Sequence, residues 1–94
     1  MSLEKREQEV FRGQEAERIF TSQVFTDAIR AVEQRIMSEW KTSLPGDSQV
    51  RETCWLRFKL LAQFLQDLRK TMETGNLAAQ QLTAPQGVHG AGSN

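Results

Sequence analysis

The chain has 94 residues, with twelve Lys and Arg against twelve Asp and Glu, so its formal net charge is zero. That balance removes any general electrostatic pull toward nucleic acid or anionic lipid. A single cysteine excludes an internal disulfide, and the absence of Tyr with only two Pro argues against a β-rich fold.

Residues 2–20 predict a first helix. Glu4, Lys5, Arg6, Glu7, Gln8 and Glu9 favour helix but present no apolar face. Val10, Phe11, Ala16, Ile19 and Phe20 supply apolar contacts only in the second half. Gly13 costs about 1 kcal/mol against Ala in a helix interior. Thr21 and Ser22 mark a break and offer a cap for a second helix, expected over 22–43. There Phe25, Ile29, Val32, Ile36 and Trp40 recur at steps of 4, 3, 4 and 4, which is one helical face. Leu44-Pro45-Gly46 stops it, because Pro disfavours helical geometry at the residue before it.

Asp47 or Ser48 then opens a third helix, expected over 48–74, with Glu52 near its positive end. Cys54, Phe58, Leu61, Leu65, Leu68 and Met72 step by 4, 3, 4, 3 and 4, a heptad seam. Leu56, Leu60 and Phe64 form a second stripe beside it, with Trp55 and Ala62 toward the other flank. Gly75 suits the residue that ends a helix, and a short final helix is expected over 77–82. A single domain over 1–82 is therefore expected, followed by a flexible Gly- and Ala-rich tail over 83–94.

The short connection between the second and third helices predicts an antiparallel hairpin. The third helix overhangs the second, and its apolar face is broader than one neighbouring helix covers. The expected fold is all-α: an antiparallel hairpin with an additional N-terminal helix folded back on it, completed as a bundle by oligomerisation. The expected core is Phe25, Ile29, Val32, Ile36, Phe58, Leu61, Leu65 and Leu68. The expected interface is Trp55, Leu56, Leu60, Phe64 and Met72, with Phe11 and Phe20 closing one end. Trp40 and Trp55 come within reach of each other at the turn, either as core packing or as interface anchors, with Arg57 placed to stack on either ring.

Chemistry is absent from this pattern. The only histidine, His89, sits in the tail where nothing would orient it as a base, and Cys54 lies on the heptad seam as a small hydrophobe. One Cys and one His, far apart, do not make a zinc site. There is no acidic calcium loop, no Glu-x-x-His pair, no phosphate loop and no dinucleotide fingerprint. No enzyme, no metal site, no cofactor and no small-molecule substrate are expected. Arg51, Arg57, Lys59, Arg69 and Lys70 on the third helix, with Arg30, Arg35 and Lys41 on the second, are interleaved with Glu33, Glu39, Glu52, Asp67 and Glu73. Such a face ordinarily serves solubility, and the third helix is too long for an ordinary recognition helix. No stretch approaches the roughly 20 apolar residues that span a bilayer. Met1–Glu9 lacks the apolar core of a secretion signal, so a cytosolic chain is expected.

Several runs carry a resemblance: Gly13-Gln14-Glu15-Ala16-Glu17-Arg18, Phe25-Thr26-Asp27-Ala28 and Met37-Ser38-Glu39-Trp40, then Arg51-Glu52-Thr53-Cys54-Trp55-Leu56 leading to Leu65 and Glu73-Thr74-Gly75. Over residues 12–82 the chain resembles small helical proteins of tailed phages and prophages, which sit among virion-morphogenesis genes. The resemblance implies a phage origin, in the host cytoplasm or the virion, and carries over no catalytic residue. Together with the seam it leads to the first expectation, a structural or assembly protein that self-associates or docks on another phage protein. A nucleic-acid-associated packaging factor or small regulator is the second expectation. An adaptor that binds a host protein is the third.

Overall fold

The computed structural model describes residues 2–83; the expected tail beyond Thr83, with His89, lies outside them. The described residues form three helices, α1 (Leu3–Phe20), α2 (Gln23–Lys41) and α3 (Ser48–Thr83), with no strand among them. The fold is all-α. The described chain falls into two compact units. One joins α1 through Arg18 to α3 from Leu68 onward, and the other runs Ile19–Asp67.

In the Ile19–Asp67 unit, α2 begins where the sequence offers a cap. Ser22 takes an extended backbone (φ −72°, ψ 126°), and its hydroxyl accepts the Phe25 N–H at 3.3 Å. This satisfies one of the amides that a helix start leaves without a partner. Phe20 meets Phe25 edge-on across that cap, with ring centroids 6.2 Å apart. At the other end the Thr42 and Ser43 hydroxyls donate back to the Ser38 and Trp40 carbonyls, at 2.9 and 2.7 Å. The Arg51 guanidinium donates to the Leu44 and Pro45 carbonyls at 2.7 and 2.9 Å, which ties the turn to the first part of α3. With Glu39 paired to Arg57 at 2.6 Å and Ile29 sharing a groove with Leu65, α2 and this part of α3 run antiparallel, the expected hairpin. Ile36 and Cys54, each 1% exposed, are its innermost side chains. Phe25, Ile29, Val32, Phe58, Leu61 and Leu65 are half-buried around them. Cys54 is a free, buried thiol in the position of a small hydrophobe.

The other unit is packed differently. α1 has little apolar face, and its most buried residues are small. What it buries is Gly13 and Ala16; from α3 the buried residues are Gly75 and Ala78. A Cβ on Gly13 would stand 2.7 Å from the Gly75 Cα, and one on Gly75 would stand 2.6 Å from the Gly13 Cα and 2.7 Å from the Glu9 carbonyl oxygen. The two backbones therefore touch, and the hydrogen occupying the Cβ place of Gly75 points at the Glu9 carbonyl. Glu9 lies beside Gly75 while Gly13 reaches the Thr71 carbonyl, so α1 runs antiparallel to this part of α3.

This packing corrects one expectation. Gly75 does not end the third helix, and the separate helix over 77–82 is not formed: α3 continues unbroken to Thr83. Gly75 lies on the continuation of the heptad seam, at the next step of three after Met72, where the approach of α1 requires a residue without a side chain.

Candidate functional site

Among the described residues, α3 carries several large apolar side chains that the hairpin leaves exposed. Leu60 is 68% exposed, Trp55 57% and Phe64 52%, and Leu56 is exposed beside them. They fall outside the buried seam because α2 covers only one side of this amphipathic helix. Next to them runs an open apolar groove lined by Val32 and Ile36 of α2 and by Arg57, Leu60, Leu61 and Phe64 of α3. Its floor is the hairpin core, and Leu60 and Phe64 contribute to its wall while remaining open to solvent.

The remaining predicted interface residues divide. Phe11 is exposed on α1 beside Glu4, Glu7, Gln8 and Arg12. Phe20 is half-buried against Phe25, and Met72 is half-buried on the seam. Neither tryptophan packs into a core at the turn; both Trp40 and Trp55 are exposed. Arg57 does not stack on either ring, because its guanidinium is held by Glu39 at 2.6 Å. The cation over Trp55 is instead Lys59, with its ammonium 5.4 Å from the ring centroid, one helical turn along α3.

Sequence reasoning placed Leu56, Leu60 and Phe64 on one stripe but missed that Val32 and Ile36 would floor a groove beside two of them. Val32 and Ile36 belong to α2's own core row, and which members of that row come to lie under a groove depends on how the hairpin closes. The signal that was present is Arg57, three residues before Leu60, which marks the polar rim of the same groove.

The electrostatics of the surface are local. Arg57 answers Glu39, Arg30 lies 4.0 Å from Asp27, Arg18 pairs with Glu15 at 2.7 Å, and Arg51 is committed to backbone carbonyls. Exposed pairs of this kind are worth about 0–1 kcal/mol each. Among the described residues no group of His, Cys, Asp and Glu is arranged to hold a metal ion, and no helix is long and apolar enough to cross a membrane. No family model, curated protein or solved structure matches the chain.

Proposed function

We propose that the chain is a phage or prophage assembly protein that works through helix-mediated contacts, self-association among them, at the α2–α3 groove. The observation that carries the contact is the pair Leu60 and Phe64, exposed side by side on the wall of an apolar groove. The phage setting is supported by the resemblance over residues 12–82. Aliphatic and aromatic side chains beside a charged rim are what a partner helix seats on, with its own apolar face in the groove.

The test is the mass in solution of the wild-type chain and of the double variant Leu60→Asp, Phe64→Asp, over a range of concentrations. The wild type is expected above the monomer mass and the variant at it, with helicity unchanged because neither side chain belongs to the buried core. Equal masses for the two chains would sink the reading.

A further inference from the structure

α3 carries a second periodic row beside its buried seam. Arg57, Leu60, Phe64 and Asp67 step by 3, 4 and 3. At 3.6 residues per turn these four fall within roughly an 80° arc of the helix. The pattern is that of a heptad seam. Leu60, Phe64 and Asp67 are exposed on this row, and Arg57 stands half-buried at the rim of the groove.

The row is complementary to itself when reversed. Its midpoint is position 62: Leu60 and Phe64 lie equally far on either side of it, and Arg57 and Asp67 lie equally far beyond them. Apolar mirrors apolar, and a cation mirrors an anion. We infer that the partner on this face is a second copy of the chain, with its α3 laid antiparallel across a two-fold axis at position 62. Each Leu60 then meets the partner's Phe64, and each Arg57 meets the partner's Asp67. This rests on the reading of the Leu60–Phe64 groove as the contact face, and adds the occupant and the register.

The alternatives are disfavoured by the same residues. A parallel pairing in register sets Arg57 against Arg57 and Asp67 against Asp67, and like charges facing one another oppose association. An antiparallel pairing slipped by three residues sets Leu60 against the partner's Asp67 in one direction, or Phe64 against the partner's Arg57 in the other. Either slip presses an apolar side chain on a charge that must be desolvated. Arg57 is also prepared for a second carboxylate. Glu39 engages its Nη1 at 2.6 Å and orients the guanidinium, which has five donors in all. An isologous contact is the commonest form of a closed dimer and makes every pair twice.

The experiment is a charge swap read by sedimentation. Arg57→Asp alone and Asp67→Arg alone each set like charges across the seam twice, and each is expected to weaken self-association by about tenfold or more. An equimolar mixture of the two variants restores opposite charges at both positions and is expected to recover the two-chain mass, as a heterodimer. Because the mixture contains the same two chains, its recovery also shows that neither variant was merely misfolded. A second readout leaves both charges in place: with oxidised glutathione added as the oxidant, Leu60→Cys mixed with Phe64→Cys is expected to form the mixed disulfide faster than either variant links to itself. A wild type that stays monomeric overturns the inference, as do charge swaps without effect, a mixture that fails to recover, or like-with-like disulfides that form faster. If Leu60→Asp, Phe64→Asp abolishes association while the charge swaps do not change it, the contact face stands and only the register fails.

Discussion

The two units of this chain solve the same problem, joining one helix to α3, with opposite chemistry. α1 meets the C-terminal part of α3 through Gly13 and Gly75, backbone on backbone, with Ala16 and Ala78 as the other buried residues. α2 meets the N-terminal part through Ile36, Cys54 and a half-buried ring of Phe, Ile, Val and Leu. The first arrangement draws its cohesion from close backbone approach and asks little apolar surface of α1, which has little to offer. The second uses large side chains, and large side chains on α3 extend past the width of α2. Surplus apolar surface follows from that second style of packing, which is why Leu60 and Phe64 stand open in the hairpin.

The two units are expected to respond oppositely to small changes in side-chain volume. The largest effect is expected in the hairpin: Ile36→Ala empties its innermost side chain and costs roughly 2–5 kcal/mol in a denaturant melt. A loss below about 1 kcal/mol, as at a surface site, would show that Ile36 is not the core residue its burial makes it. In the glycine-packed unit the critical change is an addition. Gly75→Ala in an ordinary helix gains about 1 kcal/mol, but here the new methyl meets backbone at 2.6 and 2.7 Å, which cannot swing aside as a side chain would. A loss of roughly 1–3 kcal/mol is expected, the range of overpacked sites, read as a lower melting temperature. A gain would break the claim that the backbones touch. The smallest effect sharpens the contrast: Gly46→Ala in the α2–α3 turn meets nothing within 4 Å, so it should be neutral or stabilise by up to about 1 kcal/mol through the unfolded chain.

Much of the hairpin was legible in the sequence because its causes are local. Ser22 caps where a Ser precedes an apolar row, Leu44-Pro45-Gly46 breaks where Pro forbids helix, and Ile36 and Cys54 are buried where the 3-and-4 spacing puts them on one side. The stripe of Leu56, Leu60 and Phe64 was visible for the same reason. The places of Arg57 and Lys59 were not, since a long cation can reach several neighbours. Which one it takes depends on where α2 lies: Glu39 is eighteen residues from Arg57 and only the closed hairpin brings them together.

Helix content, the turn between α2 and α3, the heptad seam and the row from Arg57 to Asp67 are thus properties of the sequence by itself. They follow from propensity and from a fixed number of residues per turn, which need no knowledge of distant chain. The meaning of Gly75 was decided only in three dimensions. Read locally it is a helix terminator, because glycine is costly in a helix interior. In the folded chain the helix runs through it, because Gly13, far away in sequence, brings a second backbone so near that no side chain fits between them. A local cost is accepted there for a contact between residues that meet only when the chain is folded.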